Sequence, residues 1–304
     1  MNDRFFGLPV LRTISASVSE RRLDQLPVLV IDHPRARAAV TLQGAQLIAW
    51  QPTGAEPVLW LSEQARFEPG RAVRGGVPIC WPWFGPAAEP SHGFARLLPW
   101  ELTESGEDGS GVTLTLTLRA SRRSRTYWPH AFTARVTIRL GPDCAIDLEA
   151  HGDYESTAAL HSYFRVGDID TVTVAGLGKT YLDDLLGTEG RQEGDLAFTT
   201  PLDRVYPQAD DVSLINDPGR GRTIEVRHRG QSDVVLWNPG EPGCSDLAAG
   251  GHHDFACVET ARIRRPLVST PGSPARLGLT VRVGQRSRAG GEPPGSRSAV
   301  DPHR

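Results

Sequence analysis

Val112-Thr113-Leu114-Thr115-Leu116-Thr117-Leu118-Arg119 alternates aliphatic and hydroxyl side chains with period two. Successive side chains of a strand point to opposite faces, so one face here is valine and leucine and the other mostly threonine. Phe132-Thr133-Ala134-Arg135-Val136-Thr137-Ile138-Arg139-Leu140 repeats the pattern, and Ala145-Ile146-Asp147-Leu148-Glu149-Ala150 continues it. Gly141-Pro142-Asp143 supplies the turn between them. Such runs are half-buried antiparallel strands. Similar short runs occur at 26–32, 38–42, 172–174, 223–228, 234–237 and 276–283. Asn216-Asp217-Pro218-Gly219 and Asn238-Pro239-Gly240 punctuate them.

No segment shows a helical period over a dozen residues, and many strands without helices predict an all-β antiparallel sandwich. The 304 residues suffice for a large core with no disulfide or metal support. No linker divides residues 10–285; one domain is expected over 1–286, with a disordered tail over 287–304. Two interstrand stretches, 63–95 and 239–255, are long enough to suggest function.

The net charge of −3 offers no footprint for nucleic acid or a membrane surface. The four cysteines, Cys80, Cys144, Cys244 and Cys257, have no C-x-x-C spacing, so neither a zinc knuckle nor a redox pair is expected. Neither a secretory signal nor a run of about 20 apolar residues is evident, so the expected location is the cytoplasm.

Several motifs are set aside. Ala175-Gly176-Leu177-Gly178-Lys179-Thr180 lacks the glycine that a phosphate-binding loop needs at Thr173, and reads as a turn between strands. Gly251-His252-His253-Asp254 lacks an evident third ligand, and adjacent histidines diverge on a strand, so no metal is expected. Arg122-Arg123-Ser124-Arg125 reads as a solvated loop.

The chemistry is carried by His161, in Ala159-Leu160-His161-Ser162-Tyr163-Phe164, and Glu259, in Phe255-Ala256-Cys257-Val258-Glu259-Thr260. Each is ionisable inside an apolar, strand-like run, where an unpartnered charge costs several kcal/mol or more. Alternation puts Cys257 and Glu259 on one face, facing either solvent or a concave cavity. Held together, imidazole and carboxylate exchange protons near neutral pH. Proximity is expected to favour a protonated His161 and an ionised Glu259. Arg74, in the tight turn Arg74-Gly75-Gly76-Val77-Pro78, and Arg96, in Ser91-His92-Gly93-Phe94-Ala95-Arg96, offer planar donors for a phosphate; surface ion pairing is the other reading. Asp203 pairs with Arg204 or holds a sugar hydroxyl.

Together these segments resemble the hexose-6-phosphate mutarotases, the glucose-6-phosphate 1-epimerases of the aldose 1-epimerase superfamily. The matching stretches are Arg74 to Gly85, His92 to Arg96, Leu160 to Arg165, Gly176-Leu177 with Tyr181 and Asp183, Asp203 to Tyr206, Trp237 to Pro239 and Cys257 to Glu259. They run in family order across most of 35–285. The resemblance implies a β-supersandwich with a sugar cleft on its concave face. It implies an isomerase that interconverts the anomers of a hexose 6-phosphate, with His161 and Glu259 catalytic. Arg74, Arg96 and Asp203 match substrate-binding residues, and His92 lies in a matching motif. No cofactor is expected; the partner is a small hexose phosphate and the chain a monomer. The glycine-rich loop 240–254 departs from the family pattern. Alternatives are an epimerase of unphosphorylated sugars and a non-catalytic sugar-phosphate-binding protein.

Overall fold

The computed structural model describes residues 5–199, 201–241 and 243–285. The expected tail lies outside them. Three antiparallel sheets make up the fold. The first is a five-stranded meander of Val10–Thr13, Val18–Leu23, Leu26–His33, Ala36–Thr41 and Gln46–Pro52. The second has nine strands, with Arg222–Arg229, Ala275–Gln285, Cys144–Gly152, Phe132–Leu140 and Gly111–Arg119 at its centre. The third has eight, including Leu202–Tyr206, Asp233–Asn238, Phe255–Ser269, Tyr154–Leu160 and Tyr163–Arg165.

The inner faces of the two large sheets share one core. Val136, Ile138 and Leu148 from one and Leu236, Val234, Val258 and Ala256 from the other belong to it, all essentially inaccessible. Alternation in the meander does the same work twice. Leu29 and Ile31 join that core, while Val28 and Val30 pack beneath Phe5 and Phe67 in a second cluster. Removing this apolar surface from water, at roughly 25 cal/mol per Å², is the dominant favourable term in folding.

One sequence expectation is corrected here. Residues Arg122–Tyr127 form a short α-helix, because Ser121 caps it: its hydroxyl accepts from the Ser124 backbone N–H, and the Ser124 hydroxyl accepts from the Ser121 N–H. Among the described residues no helix is long and apolar enough to cross a membrane.

Candidate active site

The eight-stranded sheet turns its other face outward. Asp203 pairs with Trp237, Trp237 with Cys257, and Cys257 with Tyr163, forming one row across four strands. Antiparallel partners share a face, so these four side chains stand side by side. One step along, Val205, Val235 and Glu259 form the next row. His161 is not inside a strand. It sits in the two-residue break between Tyr154–Leu160 and Tyr163–Arg165; both pieces pair with Phe255–Ser269, and from Ala158 to Arg165, past a bulge at Ser156–Ala158, the register is unbroken. Leu160 opposes Thr260 and Tyr163 opposes Cys257, so His161 falls opposite Glu259.

That register brings His161 Nε2 to 3.2 Å from Glu259 Oε1. His161 is 8% exposed and Glu259 1%. His161 Nδ1 and Glu259 Oε2 are buried without a hydrogen-bond partner among the described residues. The imidazole stacks on Tyr163, with centroids 4.8 Å apart and planes 10° apart, and meets Trp237 edge-on.

The protonation states run opposite to expectation. Burial lowers the His161 pKa well below its ordinary value, reinforced by His92, Arg74 and Arg96. Burial raises the Glu259 pKa well above the carboxylate range, reinforced by Asp203. Desolvation penalises both charged forms, and the neighbouring charges have the wrong sign for each. The free site therefore holds a neutral pair.

Arg74 and Arg96 border the imidazole. Arg74 donates from Nε to Asp246 Oδ1 at 2.9 Å and from Nη1 to the Tyr163 hydroxyl at 3.1 Å, with its guanidinium 5.8 Å from the Trp237 ring centre. The Arg74 turn demands its glycines. Gly76 has φ +64°, and a Cβ there would lie 2.1 Å from the Leu47 carbonyl oxygen. Arg96 donates from Nη2 to the Ser91 carbonyl at 2.7 Å, and its buried Nε has no hydrogen-bond partner among the described residues. Among the described residues, ion pairing thus accounts for Arg74 only in part and for Arg96 not at all.

His92 adopts φ +61°, an unusual conformation for a residue with a side chain. Its Nδ1 accepts from the Gly85 N–H at 3.3 Å, which puts the hydrogen of the neutral ring on Nε2. Its ring lies 5.9 Å from that of His161. Burial, then Arg96 and Arg74, lower its pKa to about 4. Asp203 does not pair with Arg204, whose partner is Asp183 at 3.1 Å. Burial, then Asp184 and Asp183, raise Asp203 to about 6. All six candidate residues thus belong to one neighbourhood.

Sequence reasoning missed the parts played by Tyr163 and Asp246. Tyr163 is two residues from His161, a same-face spacing that was available. Asp246 sits in the glycine-rich loop, and nothing local marks it. Nor are His252 and His253 on a strand. They occupy the 3-10 turn Gly251–Asp254, where their rings lie 4.1 Å apart, and His253 Nδ1 is 3.5 Å from Asp168 and 3.8 Å from Asp170. The three side chains are exposed.

The chain is similar to known proteins in both sequence and fold. The profile described as aldose 1-epimerase matches residues 27–281. An Escherichia coli (strain K12) protein provisionally named glucose-6-phosphate 1-epimerase is 46% identical over 295 residues, covering 94% of this chain and 100% of that protein. A Haemophilus influenzae protein with the same provisional name is 34% identical over 226 residues, covering 74% of this chain and 81% of its own. A solved Salmonella typhimurium structure, provisionally described as a mutarotase (YeaD), matches with TM-score 0.92 at 46% identity, over 93% of this chain and 99% of that one. With a buried imidazole–carboxyl pair on a mutarotase-like sandwich, a family profile over most of the chain and 46% identity to a relative matched along its whole length, the chain belongs to the aldose 1-epimerase family, isomerases that interconvert the two anomers of a sugar.

Proposed function

We propose that the chain interconverts the α and β anomers of a hexose 6-phosphate, glucose 6-phosphate foremost, by acid–base-catalysed ring opening. The observation that carries this reading is the buried His161–Glu259 contact of 3.2 Å with two arginines beside it. Opening a pyranose removes a proton from the anomeric O1 hydroxyl and delivers one to the ring oxygen. Rotation about C1–C2 and closure on the other face of the aldehyde yield the other anomer. In this reading Glu259 is the base at O1, His161 is the acid at the ring oxygen, and closure exchanges their roles. Transfer of the Glu259 carboxyl proton to His161 Nε2 creates carboxylate and imidazolium together, with no proton drawn from solvent. The reaction as written needs no cofactor.

Arg74 and Arg96 hold the 6-phosphate, and the neutral His92 adds an N–H donor. Phosphate binding also offsets the two guanidinium charges that disfavour the imidazolium. Asp203, across Trp237 from the catalytic row, receives a sugar hydroxyl. A charged sugar ester does not cross a bilayer unaided, so a cytoplasmic location accompanies this substrate.

Exchange NMR on the anomer signals of glucose 6-phosphate tests the reading. The protein should accelerate exchange, and His161→Ala and Glu259→Ala should each lower the rate by about 10²–10⁴. A near-normal rate in either folded variant removes that residue from the mechanism. Equal acceleration of glucose would favour an unphosphorylated substrate. Binding without faster exchange would leave a sugar-phosphate-binding protein.

A further inference from the structure

We infer that Tyr163 is a positioning residue that ties the anion-binding arginine to the catalytic imidazole, its hydroxyl holding Arg74 and its ring face carrying His161. This rests on the roles proposed above. Tyr163 opens the strand Tyr163–Arg165, and its backbone is pinned on both sides. Its N–H donates to the Gly76 carbonyl at 2.8 Å, and its carbonyl accepts from the Trp60 N–H at 3.0 Å. Gly76 belongs to the Arg74 turn, so one residue fastens that turn to the catalytic row.

The ring is held as firmly as the backbone. Trp60 stacks on it at 5.8 Å, Phe255 lies tilted at 5.3 Å, and Trp237 meets it edge-on at 6.1 Å. His161 lies nearly parallel to it at 4.8 Å. Tyr163 is 3% exposed. An aromatic ring boxed in this way presents its hydroxyl along one direction. That hydroxyl accepts from Arg74 Nη1 at 3.1 Å, and Asp246 takes Arg74 Nε on the other side. The guanidinium is thus clamped at two of its nitrogens, and Nη2, which makes no hydrogen bond among the described residues, remains for an incoming anion.

A phenol has one hydrogen to donate. Arg74 is the hydroxyl's hydrogen-bond partner among the described residues, and it can only donate. The phenolic oxygen therefore serves as a fixed acceptor that aims the guanidinium at an incoming anion. Burial keeps the phenol protonated by raising its pKa well above the ordinary tyrosine value. Tyr163 consequently has two separable parts: a hydroxyl that acts on anion binding and a ring face that acts on the imidazole.

The variants separate these parts. Tyr163→Phe keeps the stack and deletes the hydroxyl. It should raise KM for glucose 6-phosphate about tenfold, the usual size for a lost hydrogen bond to a charged group, with a smaller fall in kcat. Tyr163→Leu deletes both parts and should lower kcat by a further factor of about 10–100, because a small misplacement of a reacting group costs about that much. Arg74→Ala combined with Tyr163→Phe should raise KM no further than Arg74→Ala alone, since the hydroxyl acts through Arg74 and the same anion. The inference is overturned if Tyr163→Phe lowers kcat as much as Tyr163→Leu. Independent, multiplying effects of Tyr163→Phe and Arg74→Ala also overturn it. Calorimetry with inorganic phosphate needs no turnover, and Tyr163→Phe should weaken that binding about tenfold. Unchanged phosphate affinity overturns the inference whatever the fate of the leucine variant. An inactive wild type whose phosphate binding depends on Tyr163 would refute the substrate reading and leave this one standing.

Discussion

Replacing Glu259 with glutamine should cripple the enzyme and stabilise the fold. The carboxyl is 1% exposed, meets neutral His161 at 3.2 Å, and has its second oxygen unpartnered. Burial raises its pKa well above the ordinary value, so the folded chain holds a proton that the unfolded chain releases above about pH 4.3. Folding then loses stability as pH rises past that point, by about 1.4 kcal/mol per pH unit, until the folded carboxyl itself titrates. At pH 7 the accumulated cost is at most about 3–4 kcal/mol. Glutamine is isosteric and never titrates, so it escapes this cost while forgoing a neutral hydrogen bond worth about 1 kcal/mol. The net expectation is a gain of up to about 3 kcal/mol at pH 7 that falls with pH and becomes a loss of about 1 kcal/mol near pH 4. Urea denaturation of wild type and variant at several pH values measures it. Exchange NMR should show a rate loss of about 10²–10⁴, equivalent to roughly 3–5 kcal/mol of barrier. A variant destabilised equally at every pH would refute the claim that burial dominates this carboxyl. Retained activity would refute its role as the base.

Arg96→Ala should raise KM for glucose 6-phosphate roughly ten- to a hundredfold and affect glucose far less, since a charge-assisted bond is worth about 1.5–3 kcal/mol; steady-state kinetics on both sugars decide it. Saturating inorganic phosphate should raise the His161 pKa, because a dianion beside Arg74 and Arg96 offsets two of the charges that lower it; imidazole NMR titrations with and without phosphate read the shift, and a fall would contradict it. His228 is buried between Ser213 and Thr260, and burial lowers its pKa to about 4. Because the folded value lies below the unfolded one, His228 should contribute a loss of about 3 kcal/mol as pH falls from 6.5 to 4, and His228→Gln should remove that contribution from the difference between variant and wild type in denaturant titrations. Gly76→Ala should cost more than about 3 kcal/mol, since its Cβ would overlap the Leu47 carbonyl at a positive φ, and a normal thermal midpoint would show that the turn relaxes.

Alternation was readable where it reports burial on one side. Phe132–Leu140 was delimited to the residue, because every second side chain enters the core. Val10–Thr13 is exposed throughout and Glu101–Asp108 nearly so; each sits at a sheet edge, where no alternation is imposed and none appears. Ile79–Cys80 is too short to show a period at all. In the site, His161 and Glu259 stood out because an ionisable group in an apolar run demands a partner. Their register did not, since pairing residues about a hundred positions apart is a property of the folded sheet. Asp246 was invisible for the same reason: only the path of its loop brings it to Arg74.

The error over protonation has a different origin. A lone imidazole and carboxylate attract in water, and proximity alone would charge both. Here desolvation opposes both charges, while His92, Arg74 and Arg96 surround the group that would become positive and Asp203 faces the one that would become negative. The two shifts run in opposite senses, making the carboxylate a stronger base and the imidazolium a stronger acid than either is in water. A reversible ring opening benefits from both, because the group that gives a proton on opening must take one back on closure. The arginines that tip the free site toward neutrality are also the ones placed to receive the phosphate. In the proposed reaction the substrate therefore brings the countercharge that readies the acid, and an uncharged hexose would reach the same imidazole without it.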